Sequence, residues 1–157
     1  ISTALILAFV VTLAMINRKL KAPDGLGHKV NAVAFGLYNG WLIIATVVNV
    51  SAYLVQLQWN GFGLAADAWA LIILIVALLL TGFVQWRLRN AALTLSLAWA
   101  YLGIWRQHQA EGAFAGQYPV IGWAALVISV LFILIAGFVY VRNGNSFLPR
   151  QRPLKLK

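Results

Sequence analysis

Long apolar runs separated by short polar and basic clusters set the layout of this chain. Five runs can be marked, at residues 1–16, 38–56, 66–86, 91–105 and 119–141. A helix needs about 20 apolar residues to span a bilayer core, so the second, third and fifth runs have membrane length. The first is slightly short and is expected to be the end of a spanning helix that begins in a longer protein. The fourth, between Arg89 and Arg106, is about 24 Å long at helical rise, so both arginines are expected to snorkel or the bilayer to thin locally. The predicted fold is all-α, a polytopic transmembrane helix bundle.

The gaps between runs are read as follows. Asn17 to Ala34 holds Arg18, Lys19, Lys21 and Lys29 with Pro23, Gly25 and Gly27, which predicts a solvated loop and an exposed His28. Leu57 to Ala65 carries Asn60-Gly61 and Gly63, the marks of a tight turn, with Trp59 and Phe62 suited to an interface. Asp67 falls in the first turn of the next helix, where the helix dipole favours a carboxylate. Gln85 to Asn90 is a basic turn short enough to force its flanking helices antiparallel. Pro119 suits a first helical turn, and 143–157 reads as a flexible basic tail beside anionic headgroups.

One stretch stands out within this layout. In Tyr38 to Gln56, the residues Tyr38, Trp41, Ala45, Asn49, Ala52 and Gln56 recur at steps of three or four, which on a helix makes one stripe. Leu42, Ile43, Val47, Val50 and Leu54 form the opposite face, which suits lipid, while the stripe suits a neighbour or a ligand. Asn49, about fourteen residues into such a helix, lies roughly 21 Å along it at 1.5 Å rise per residue, too far to snorkel easily, so its amide needs partners inside the protein. Two readings stay open: Asn49 bonds across a bundle interface with Ala45 and Ala52 permitting close approach, or Tyr38, Trp41 and Asn49 line a cavity for a flat apolar ligand.

Composition agrees with membrane residence. The 157 residues are 62% hydrophobic and 10% charged, and the mean hydropathy is +0.85, which excludes an ordinary soluble domain. The net charge of +9 sits in the gaps between runs, so it reports topology and not a nucleic-acid partner. With alternating loops, eleven of the 12 Lys and Arg residues fall on one side and Arg106 alone on the other. The positive-inside rule then places the C-terminus on the cytoplasmic or equivalent side.

Candidate chemistry is sparse. There are no cysteines, and Asp24, Asp67 and Glu111 are the three acids, so no paired carboxylates, triad or metal-ligand set can be assembled. His108 and Glu111, three apart, are two groups and not a metal site. A catalyst is not expected. Transport is disfavoured, because no ionisable group is central to a span.

The pattern Leu37-Tyr38-x-x-Trp41-x-x-Ile44-Ala45-x-x-Val48-Asn49 resembles the motif PY-x-x-W-x-x-F-A-x-x-L-N in the last helix of the TspO/translocator family. Leu37, Ile44 and Val48 stand where that motif has Pro, Phe and Leu. The stretch from Gly36 to Trp105 is similar to the C-terminal half of the family's long forms, the tryptophan-rich sensory proteins. The resemblance implies residues 1–56 as the last two helices of a TspO-like unit and 57–142 as three further spans. It implies a protein that binds a flat hydrophobic ligand of the tetrapyrrole or porphyrin class, with Tyr38, Trp41, Ala45 and Asn49 lining the pocket. It implies no covalent cofactor; a non-covalent tetrapyrrole, carotenoid or lipid, and a homodimer or larger membrane complex, are the expected partners. The rival reading is an accessory subunit of a photosynthetic or respiratory complex.

Overall fold

The structure, a computed structural model, describes residues 26–111 and 116–149 together with Ala8, Val11, Thr12 and Met15, the side chains of Leu26 and His28 excepted. Among these residues there are four helices and no strand: α1 (Leu26–Gln56), α2 (Ala66–Leu88), α3 (Ala91–Gln109) and α4 (Pro119–Arg142). The expected count of five segments is therefore not reached. The first, residues 1–16, lies outside the described residues apart from the four named, which are helical.

The ends of α2, α3 and α4 follow from local chemistry. Arg89 closes α2 in the left-handed conformation at φ 50°, its N–H donating to Gln85 O. Asn90 then opens α3, its Oδ1 accepting from Ala92 N at 3.0 Å. Between them these two residues reverse the chain, as the shortness of the basic turn required. Pro119 starts α4 at a position where its missing N–H costs no helical bond. The turn between α1 and α2 centres on a short 3₁₀ segment at Gly61–Gly63, where Gly61, Phe62 and Gly63 all have positive φ. Trp59 caps that turn against Phe62 and Trp69, with ring centroids 5.1 and 4.9 Å away. Asp67 is exposed in the first turn of α2, as expected, and accepts from Ala68 N.

Three boundaries differ from expectation. The turn read at Gln85–Asn90 narrows to Arg89 and Asn90, because α2 runs on to Leu88. Residues 26–34 are not loop but the first turns of α1, which runs for 31 residues. Gly27 and Lys29 are polar or small breakers only on its exposed side, whereas Ala32 is buried against the bundle. The helical periodicity of the apolar positions thus outweighs the glycines. α3 likewise continues past Trp105 to Gln109. Its 19 residues reach about 28 Å, with Arg106 inside its last turn and Arg89 just before its N-cap Asn90, so the stretch between the two arginines keeps its expected length.

Three helices are long and apolar enough to cross a membrane, Lys29–Gln56, Ala66–Leu88 and Pro119–Arg142. α3 is not among them, because Thr94, Ser96, Arg106, Gln107 and His108 make it less apolar. It lies between α1 and α4 and also meets α2, so protein rather than lipid surrounds much of it. Leu93, Leu97 and Tyr101 are wholly buried. α2 contributes one stripe, Leu74, Ala77, Thr81 and Gln85, and α4 another, from Ile121 through Ala125, Ser129 and Phe132 to Ala136.

Polar bonds tie the helices where the apolar packing is closest. Tyr101 Oη donates to Leu74 O at 2.7 Å and packs edge-on to Phe132 at 5.3 Å. Ser129 Oγ donates to Ala98 O at 2.8 Å. Asn90 Nδ2 donates to Ala32 O at 2.8 Å, joining α3 to α1. The start of the expected flexible tail also folds back: Asn143 Nδ2 donates to Arg89 O, Phe147 O accepts from Ala91 N, and Leu148 is buried. Residues 150–157 lie outside the described residues.

Candidate functional site

The site is built on the seam between α1 and α3, which run side by side in the same direction. Gly36 and Gly40 make the seam close. A Cβ on Gly36 would stand 2.6 Å from Asn90 Oδ1 and 2.8 Å from Ala92 Cβ, and one on Gly40 would collide with Ser96 Oγ and Leu93 O. Ile43 and Val47 continue this contact into the core. The face of α1 expected to meet lipid is therefore largely the one that packs, because the glycines that allow close approach lie on its side. The stripe from Tyr38 through Asn49 points outward along the edge of the seam.

Beside the touching backbones, larger side chains spread apart and leave a groove of about 470 Å³ lined by Leu37, Tyr38, Trp41, Leu95, Ser96 and Trp99 with Ala34. A second hollow of about 490 Å³ shares Trp41 and Trp99 and runs on past Ile44, Gly103 and Ile104 to Gln107 and His108. The two form one track along α1 and α3. Trp41 is 55% and Trp99 73% exposed, so the track opens sideways, toward the bilayer, and not into an enclosed chamber.

Its electrostatics are simple. No charged side chain lines either hollow. Ser96 Oγ donates to Leu93 O at 3.0 Å. His108 holds Nδ1 at 2.8 Å from Ile104 O; since a carbonyl accepts only, Nδ1 carries the proton. Such a surface can stack on a flat apolar molecule and offer a polar group at one end. It holds no nucleophile and base pair, and no group of three metal-ligating side chains exists among the described residues.

Of the four residues singled out in the sequence, the structure brings Tyr38 and Trp41 to the groove. Ala45 and Asn49 continue the same side of α1 but line neither hollow. Asn49 Nδ2 donates to Ala45 O of its own helix at 2.8 Å, so the depth that called for a partner is met by a carbonyl one turn back and not across the bundle. Leu95, Ser96 and Trp99, which complete the groove on α3, are not singled out by the sequence pattern. The signal that could have raised Trp99 is its position: Trp59, Trp69, Trp86, Trp105 and Trp123 stand near helix ends, as interface tryptophans do, whereas Trp41 and Trp99 are mid-helix.

A sequence profile described as TSPO-like protein matches residues 1–138. The chain belongs to the TSPO-like protein family. The match runs through α1, α2 and α3 and most of α4, so the seam that carries the groove lies within the TSPO-like region. No curated protein and no solved structure matches the chain. Family membership and the three long apolar helices make this TSPO-like chain an integral membrane protein.

Proposed function

We propose that this TSPO-like membrane protein binds a flat hydrophobic ligand of the tetrapyrrole class in the α1–α3 groove, in a sensory or regulatory role and without catalysis. The observation that carries the reading is the convergence of Tyr38 and Trp41, the motif aromatics, with Trp99 around one apolar groove that opens sideways. Aromatic faces supply contact area at low entropic cost, and a ligand dissolved in the bilayer reaches them without crossing water. Ala45 and Asn49 extend the same side of α1, so in this reading they meet the far part of a larger ligand.

Tryptophan quenching by protoporphyrin IX, titrated into the full-length protein in detergent, tests this. Saturable quenching is expected, weakened at least tenfold in a Trp41→Ala, Trp99→Ala double variant and little changed in Trp123→Ala, whose indole is exposed on α4. Asn49→Ala then measures how far the bound molecule reaches. Equal losses at Trp41 and Trp123, or quenching that never saturates, would show the groove to be a lipid-facing surface. Co-migration with a larger complex and loss of the isolated chain would favour the accessory-subunit reading.

A further inference from the structure

The polar atoms least accounted for lie at the basic end of α2. Gln85 is 3% exposed, and neither its Oε1 nor its Nε2 has a hydrogen-bond partner among the described residues. Asn143 is 5% exposed, and its Oδ1 is likewise buried and unpartnered. One backbone unit joins the two residues. Arg89 N donates to Gln85 O at 2.8 Å, and Arg89 O accepts from Asn143 Nδ2 at 2.8 Å.

The neighbouring Asn90 shows the contrast. It too is wholly buried, yet its Nδ2 serves Ala32 O and its Oδ1 serves Ala92 N. The three orphan atoms are Gln85 Nε2, with two N–H donors, and the acceptor oxygens Gln85 Oε1 and Asn143 Oδ1, and leaving such groups bare in an apolar surrounding is strongly unfavourable. A bare cation would face the Nε2–H, and an anion would face two acceptor oxygens. One water can reach all three atoms: its two O–H groups donate to Gln85 Oε1 and Asn143 Oδ1, and a lone pair accepts from one of the two Nε2 N–H groups. Exposed Trp86 and Arg87 stand at the same level of α2, which is headgroup depth, where water is at hand.

We propose that Gln85 and Asn143 hold one buried water that fastens the C-terminal turn of α4 to the α2–α3 corner. The water completes the support of Arg89, a non-glycine residue kept at positive φ.

The test uses the full chain, isotope-labelled in detergent. Magnetisation transfer from a long-lived water to the Gln85 side-chain amide is expected in the unaltered protein and is lost in Asn143→Leu. Thermal unfolding gives an independent sign. Gln85→Met keeps the length of the side chain without its polar atoms, and it is expected to lower Tm by several degrees, with a smaller effect in an Asn143→Leu background. A Gln85→Met protein that melts above the parent overturns the proposal, because removing a true orphan relieves the fold. So does a parent protein in which Gln85 contacts Asn143 directly and shows no water transfer; this measurement decides even if the variant fails to fold.

Discussion

At the scale of single residues, the glycines of α1 show how little separates a packed position from an open one. Gly36 and Gly40 sit where α3 presses against α1, and the atoms a methyl would meet on Gly40 include the backbone oxygen of Leu93, which cannot move without moving α3. Gly40→Ala is therefore expected to destabilise the bundle by about 1–3 kcal/mol, the cost of overpacking. Gly82 is exposed on α2 with nothing within 4 Å of a Cβ, so Gly82→Ala should stabilise by about 0.5–1 kcal/mol through helix propensity. Denaturation in mixed micelles measures both, and shifts of the same sign would contradict the packing described. The same contact leaves Tyr38 and Trp41 for the groove: they lie off the glycine side of α1 and line the gap beside the seam with Leu95, Ser96 and Trp99.

At the scale of elements, α3 organises the bundle. Its buried side is supplied by Leu93, Leu97 and Tyr101, and Tyr101 reaches both neighbours, bonding Leu74 O of α2 and packing on Phe132 of α4. The two contacts should differ in weight. Tyr101→Phe removes one neutral hydrogen bond and is expected to cost about 0.5–1.5 kcal/mol. Phe132→Ala leaves a cavity in a fully buried place and is expected to cost about 3–5 kcal/mol. An unfolding series in which Tyr101→Phe is the costlier change would mean that the hydrogen bond to α2 outweighs the packing on α4. The stretch Tyr38–Gln56 commands attention in the sequence because it is long and patterned, yet it is an outer helix leaning on α3.

At the scale of the whole molecule, the alternation of helix directions sets the charges apart. The basic residues Lys29, Arg87, Arg89 and Arg142 gather at one end, beside the start of α1 and the ends of α2 and α4, and Arg106 lies near the other end of α3. Arg87 and Arg142 lay their guanidinium groups over Phe83 and Phe138, 5.3 and 6.0 Å from the ring centroids, as residues at a headgroup boundary do. With no cysteine in the sequence, single replacements report sidedness cleanly. Gly27→Cys and Pro149→Cys are expected to react with an impermeant thiol reagent from the cytoplasmic side of sealed vesicles, and Gln117→Cys from the opposite side. Labelling of Gln117→Cys on the same side as Gly27→Cys would break the four-helix alternation.

The order of residues was enough to show a helical membrane protein, the places of α2 and α4, the turns at Asn60-Gly61 and Arg89-Asn90, and the family motif that α1 carries. These are local properties: run length, breaker residues and charge are written in consecutive positions. It determined two of the groove residues, Tyr38 and Trp41, because their spacing along one helix is legible without a neighbour. The tertiary structure alone decided that α1 begins at Leu26, that Ile43 and Val47 face inward, and that Leu95, Ser96 and Trp99 complete the groove. In a membrane, lipid and protein interiors are both apolar, so hydrophobicity does not mark the buried side of a helix. That side is chosen by where small residues let another backbone approach, and only the partner helix reveals it.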